Sequence, residues 1–344
     1  MVGDKEQPMR FGLFGGAAVP RGDPAALSAR RLAEYIKTHV EAEELGYYAT
    51  FLTEHHFTGV GQISAPLQVL TAIAMRTTKL RLGTAVMVLA WHNPAMLAEQ
   101  AATLDVISNG RLELGIGKGY RASEFSGFAM PMEEAEGRFN EAFAVLKQAF
   151  SSSERFSHHG TYWHFDNVVI EPQPVQRPHP PLWIAAGNPG SIRRVAELGC
   201  NLLLDQFQSP AQIKERIALY RSVLETHGHS FDPRMVAVAR NVYVAEGMAD
   251  REAALMRQVA IHRRMVELSR RGDASSGSHI LQYDTAPGST EESALYGSAE
   301  EIISRLCELH AAGVTQVLIN SGGVKPIESL RRFARQVMPA MVEA

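Results

Sequence analysis

Apolar residues along this chain come in short continuous runs, each followed by a longer stretch in which they recur every three to four positions. Residues 11–14, 49–53, 80–89 and 111–116 are such runs, and residues 27–45, 66–75, 94–107 and 138–150 carry the helical spacing behind them. Gly46 stops the first helix and Pro94 opens the third, each at the end where that residue is favoured. The alternation resumes with runs at 182–186, 201–205, 236–245 and 316–320, among helical stretches at 191–198, 210–226, from about 250, at 299–312 and at 326–337. A strand apolar at every position is covered on both faces, as in a parallel sheet wrapped by helices. Eight such strands close a barrel, so the pattern predicts an α/β fold, a (β/α)8 TIM barrel, as a single domain over 1–344. Three segments interrupt it: 120–137 after strand four, 156–181 with a hairpin-like Gly160-Thr161-Tyr162-Trp163 turn, and 271–297 after strand seven. Long loops in a compact domain are commonly functional, and 271–297, rich in Gly, Ser and Asp, is expected to act as a lid over the barrel mouth.

Composition narrows the function classes. Lysine plus arginine number 34 against 37 aspartates and glutamates, a net charge of −3, so there is no net basic field to hold nucleic acid or an anionic membrane. No run reaches the roughly 18 apolar residues of a membrane span, and residues 1–9 lack the apolar stretch of a signal peptide. The two cysteines, Cys200 and Cys307, sit in stretches that read as buried and are too few for a disulfide framework. A cytoplasmic protein with a small-molecule partner is expected.

In a barrel of this class the chemistry sits past the C-terminal ends of the strands. Past strand two stand Glu54, His55, His56 and Phe57; past strand three, Trp91, His92 and Asn93. Past strand four come Gly117, Lys118, Gly119 and Tyr120, and past strand five Gly187, Asn188, Pro189, Gly190 and Ser191. The last group reads either as a plain helix cap with Ser191 at the N-cap or as an anion site, where backbone N–H groups and the helix dipole meet a phosphate. Lys118, one strand earlier, favours the anion. Gly115-x-Gly117-x-Gly119 is not a dinucleotide fingerprint, which needs a longer spacing and an immediate helix. Glu54-His55-His56 admits metal binding, histidines hydrogen-bonded at a strand end, or acid–base work near neutrality; other strand ends offer few further metal ligands, so no metal is expected. His158 and His159 read as surface residues.

Taken together these residues resemble the bacterial luciferase-like flavin monooxygenase family. The matching stretches are Thr53-Glu54-His55-His56-Phe57-Thr58, Leu82-Gly83-Thr84-Ala85-Val86, Asn93-Pro94 with Leu97-Ala98-Glu99-Gln100, and Thr103-Leu104-Asp105 through Ser108-x-Gly110-Arg111. To these add Leu114-Gly115-Ile116-Gly117-Lys118-Gly119-Tyr120, and Pro172-Gln173-Pro174-Val175-Gln176 leading to Pro180-Pro181-Leu182-Trp183-Ile184-Ala185-Ala186. The likeness spans nearly the whole chain and fades over 247–296.

The resemblance implies a monooxygenase using reduced FMN, supplied by a separate NAD(P)H-dependent reductase, with O2 as co-substrate and a small, apolar organic substrate. It implies His55 as the active-site histidine, a cis peptide between Ala85 and Val86 under the flavin ring, Lys118 in place of a phosphate-binding arginine, and Glu124 as an acidic loop residue near the flavin. Gly119, Tyr120, Ala186, Gly187, Asn188, Gly190 and Ser191 complete the expected cofactor contacts, with Gly187 standing where the luciferase catalytic chain has an acidic residue. Phe57, Trp91, His92, Phe125 and Phe128 are expected to line the substrate pocket together with Tyr120 and 271–297. A homodimer is the family habit. Two alternatives remain: an F420-dependent hydride-transfer enzyme on the same barrel, and a non-catalytic flavin-binding partner subunit.

Overall fold

The computed structural model describes residues 7–269, 293–321 and 326–342. The chain opens with β1 (Arg10–Gly15), α1 (Ala25–Glu44), β2 (Ala49–Leu52), α2 (Pro66–Ala74), β3 (Arg81–Thr84), a short β4 (Met87–Val88) and α3 (Pro94–Ile107). β5 (Leu112–Gly117) leads to α4 (Ala122–Gly127) and α5 (Ala135–Ser151), then to an antiparallel hairpin of β6 (Phe156–His159) and β7 (His164–Val168), and to β8 (Leu182–Ala185). There follow α6 (Pro189–Glu197), β9 (Asn201–Leu204), α7 (Pro210–Thr226), β10 (Val236–Val244), α8 (Met248–Ser269) and β11 (Leu295–Gly297). The last elements are α9 (Ala299–Ala311), β12 (Gln316–Ser321), α10 (Pro326–Gln336) and α11 (Met338–Val342).

Strands β1, β2, β3, β5, β8, β9, β10 and β12 pair in parallel in that order, and β12 pairs back onto β1, closing an 8-strand barrel. The (β/α)8 reading holds, with insertions behind its fourth and seventh strands. Both faces of the strands are covered. Ala49, Phe51, Trp183, Leu203, Ala237 and Leu318 fill the barrel, while a larger apolar shell packs between strands and helices. Proline at the first turn of α2, α3, α6 and α7 presets φ where no intrahelical N–H bond is lost.

Several boundaries differ from the sequence reading. The run 80–89 is two strands, broken at the cis Ala85–Val86 peptide, and β5 lies close against this break only because it carries glycines there: a Cβ at Gly115 would lie 1.8 Å from Thr84 O, and one at Gly117 2.6 Å from Val86 Cγ2. The connection 120–137 contains α4. The helix expected over 191–198 begins at Pro189, capped by Asn188 rather than Ser191: Asn188 directly precedes the helix, and its Oδ1 accepts the N–H of Ser191, three residues on, at 2.9 Å. Cys200 is buried, but Cys307 is exposed on α9, whose apolar stripe of Ile302, Leu306 and Leu309 faces inward without it. Of the expected lid 271–297, all but 293–297 lies outside the described residues; Leu295–Gly297 is a buried strand paired with Val242–Val244. His158 is half-buried against Glu141, while His159 is more exposed.

Candidate active site

At the mouth end of β2 the chain turns one carboxylate and two histidines toward different partners. Glu54 is buried, and its Oε1 accepts His56 Nε2 (2.7 Å), His92 Nε2 (2.8 Å) and Trp91 Nε1 (2.9 Å), while Oε2 accepts the Val88 N–H (2.8 Å). Burial alone would raise this carboxyl, yet the hydrogen bonds from His56 and His92 hold it at about 2. His55 faces the other way. Its Nδ1 donates to Glu124 Oε1 at 3.0 Å, the same oxygen that accepts the His56 N–H at 2.9 Å. The His55 side chain is 13% exposed, and its Nε2 has no hydrogen-bond partner among the described residues. Burial lowers its pKa, the Glu124 hydrogen bond opposes, and the charge of Arg121 lowers it further. Of the readings open for Glu54-His55-His56, the geometry therefore separates two: His56 is held at a strand end, and His55 presents a free imidazole nitrogen. Among the described residues no group of three or more His, Cys, Asp or Glu could hold a metal ion.

Beside this pair lies an aromatic wall. Trp91 stacks on Phe128 (centroids 5.0 Å, 25°) and meets Phe125 edge-on at 5.4 Å. His56 meets Trp91 at 5.7 Å and Phe128 at 4.9 Å, and Phe57 packs 4.9 Å from Phe128. Phe57 is 62% exposed at a positive φ of 55°, its ring against Phe128 and Gly127, whereas Phe125 is buried behind Trp91 with Val88, Ala90 and Ala135. His92 reaches the wall only through Glu54.

β5 and β8 are neighbours, so Lys118 and the 187–191 turn leave the barrel side by side. Ser191 Oγ donates to Asn188 O at 2.9 Å, and a Cβ on Gly190 would meet only Asn188 Oδ1 at 3.4 Å, which leaves the turn uncrowded. The dipole of α6 opens toward the mouth, as a phosphate-bearing cofactor requires. Lys118 Nζ lies 3.6 Å from Glu136, both side chains well exposed, a pair loose enough to yield to an incoming anion. Tyr120 sets its ring edge-on to His55 at 6.5 Å.

A buried cation went unread in the sequence. Arg121 is fully buried; its Nη1 donates to Gln62 Oε1 at 2.9 Å and lies 4.0 Å from Glu124 Oε1, while its Cζ sits 5.7 Å from the Tyr120 ring centre. The signal was its position three residues before Glu124 past a barrel strand.

The family model for luciferase-like monooxygenases matches residues 9–316. The chain belongs to the luciferase-like monooxygenase family. Within it, a protein of uncharacterised activity from Sinorhizobium fredii, y4wF, is 37% identical over 189 residues, 55% of this chain and 54% of that protein, so the chain spans about half of that relative's length. The oxygenase component of a flavin-dependent trigonelline monooxygenase from Acinetobacter baylyi is 28% identical across 98% of this chain and 96% of its own. Among solved structures, the monooxygenase RslO1 from Streptomyces bottropensis superposes with a TM-score of 0.81 at 25% identity, covering 96% of this chain and 99% of its own. An F420-dependent secondary alcohol dehydrogenase shares the fold (TM-score 0.78, 17% identity, 97% of this chain and 99% of that one). No helix of the described residues is long and apolar enough to cross a membrane.

Proposed function

We propose that this chain is the oxygenase component of a two-component monooxygenase that binds reduced FMN, takes O2 as co-substrate and oxidises a small, apolar organic molecule. The observation that carries the reading is His55, an imidazole past the C-terminal end of β2, anchored through Nδ1 by Glu124 with Nε2 left for a reactant. FMN, when bound, supplies the redox chemistry that activates O2. Lys118, Gly190 and Ser191 are its phosphate side, with Ala85, Val86, Gly119, Tyr120, Glu124, Ala186, Gly187 and Asn188 around the rest of the molecule. His55 takes up or returns a proton at the reacting edge through Nε2, Glu124 fixes its tautomer, and Phe57, Trp91 and Phe128 keep the substrate side dry. That the Acinetobacter relative is one component of a monooxygenase supports a separate partner, which we take to be an NAD(P)H-dependent reductase; the subunit works as a homodimer.

Quenching of cofactor fluorescence tests the reading with FMN, riboflavin and F420 in parallel. FMN binds most tightly, and Lys118→Ala weakens it about fivefold, a modest loss because the ammonium is exposed and shared with Glu136. Equal affinity for FMN and riboflavin removes the phosphate site, and tight binding of F420 alone moves the chain to hydride transfer. Reduced FMN reoxidises in air by itself, so the readout is its rate: mixed with aerated buffer, reduced FMN bound to the purified chain reoxidises at a rate distinct from that of the free cofactor, and an identical rate despite binding makes the chain a non-catalytic subunit.

A further inference from the structure

Arg121 poses a physical question that the proposed reaction leaves open. A guanidinium removed from water costs several kcal/mol unless its charge and its N–H groups are met. Among the described residues only Nη1 is met, by Gln62, and Nε and Nη2 have no hydrogen-bond partner. The compensation on hand is charge: the Glu124 carboxylate at 4.0 Å, itself buried. That carboxylate in turn holds His55, so three charged or chargeable groups lie in a line from the interior to the mouth.

We propose that Arg121 is a positioning residue that fixes the charge state of the His55–Glu124 pair. With the cation in place Glu124 is neutralised from behind, and His55 rests as a neutral imidazole, donating from Nδ1 and offering Nε2 as a proton acceptor. Remove the cation and the balance reverses. His55 would then face two carboxylates, Glu124 on α4 and Glu54 on its own segment, while its other partners among the described residues, the Tyr120 ring and the Ile63 carbonyl that accepts its backbone N–H, bring no positive charge. A buried carboxylate next to an imidazole without a counterion draws a proton onto the ring, and an imidazolium has no lone pair left to accept with. Arg121 thus decides whether His55 begins the reaction as a base or as an acid. The dependence on Gln62 is geometric: its Oε1 holds the guanidinium in place from the connection between β2 and α2.

This rests on His55 working at the mouth as proposed above, but the test needs neither flavin nor substrate, so either idea can fail alone. In histidine-labelled protein, the ring signals of His55, assigned by their loss in His55→Asn, are followed by NMR from pH 5 to 9. Wild type is neutral at pH 7 with the proton on Nδ1. Arg121→Gln raises the midpoint by about one pH unit or more, and Arg121→Lys, which keeps the charge, stays close to wild type. A folded Arg121→Gln that titrates like wild type overturns the proposal, as does Arg121→Lys shifting as far as Arg121→Gln. Should Arg121→Gln fail to fold, the cycle is closed in the Glu124→Gln background, where the buried charge is removed from the other side. Glu124→Gln alone should then titrate lower than Arg121→Gln/Glu124→Gln, and equal midpoints overturn the proposal.

Discussion

Three donors on one oxygen of Glu54 and a fourth on the other make this side chain hard to replace. Glu54→Gln keeps the size but turns one acceptor into a donor, so either the Val88 N–H or the group of His56, Trp91 and His92 loses its partner. The cost expected from leaving such buried donors unmet is about 2–4 kcal/mol, measured by urea unfolding at pH 7, with the near-ultraviolet signal of Trp91 altered. A change under 1 kcal/mol would show that water or a neighbour takes over. His55→Ala should leave FMN affinity nearly unchanged and lower product yield by about 10²-fold, with O2 consumption continuing as hydrogen peroxide release. His56→Ala, whose ring points to Glu54, is the control; if uncoupling appears only there, the proton-handling role moves away from His55. His39 should contribute to acid sensitivity. It is buried on α1 with Nδ1 donating to Tyr35 O at 2.8 Å, and burial lowers its pKa from 6.5 to about 4. The unfolded chain therefore takes up a proton that the folded chain refuses between those values. Its contribution is complete above pH 6.5 and is lost as pH falls toward 4, about 3 kcal/mol in all. His39→Gln should flatten that part of the stability curve; an unchanged slope would place the acid sensitivity elsewhere.

At the scale of elements, two glycines that look alike in the sequence separate cleanly. A Cβ on Gly115 would fall 1.8 Å from the Thr84 carbonyl oxygen, and backbone cannot swing aside, so Gly115→Ala should push β5 off β3 at a cost of about 3 kcal/mol or more. Gly190, with only Asn188 Oδ1 at 3.4 Å, should accept alanine within about 0.5 kcal/mol. Parallel thermal melts of the two variants decide this, and similar melting temperatures would contradict it. The hairpin of β6 and β7 is fastened by Glu141 of α5, which accepts the N–H groups of Thr161, Tyr162 and Trp163 and His158 Nε2. Glu141→Ala should release the hairpin amides to hydrogen exchange while those of β8, which follows it, stay protected. Protection unchanged in 156–168 would mean that the apolar contacts of Phe156 and Phe165 suffice.

Closure belongs to the whole molecule. β12 lies between β10 and β1, and the match to the family ends at 316, where that strand begins. A chain ending at residue 314 would leave both neighbours as open edges with no partner for the N–H and C=O groups on one side. It should lose the cooperative melt of the full chain and aggregate, as read by circular dichroism and light scattering. A sharp melt would show that seven strands suffice. The C-terminal helices add to the same joint: Arg331 of α10 pairs with Glu41 of α1, and the Met9 N–H reaches Met341 O at 3.3 Å, so the two ends of the chain hold the barrel shut together.

The class of the fold was legible in the sequence because it follows from periodicity alone. Continuous apolar strands alternating with helical stretches give a parallel sheet wrapped by helices, and their count of eight selects the barrel; strand ends in a barrel point to its mouth, which is why His55 and Lys118 could be named from their positions, whereas Glu124 came only with the family resemblance. Local boundaries were less legible. The break at 85–86 and the cap at Asn188 depend on what β5 and the α6 turn meet in space, and no spacing in the sequence records a backbone oxygen 1.8 Å from a missing Cβ. The partners of neighbouring residues were decided only by tertiary structure. His55 and His56 look equivalent as a pair, yet one binds a carboxylate brought from 69 positions away and the other one from 2 positions away. Arg121 was hard to read for the same reason: an arginine in a loop reads as exposed, its place three residues before Glu124 was the one hint, and only the folded chain shows it buried beside Gln62 and Glu124.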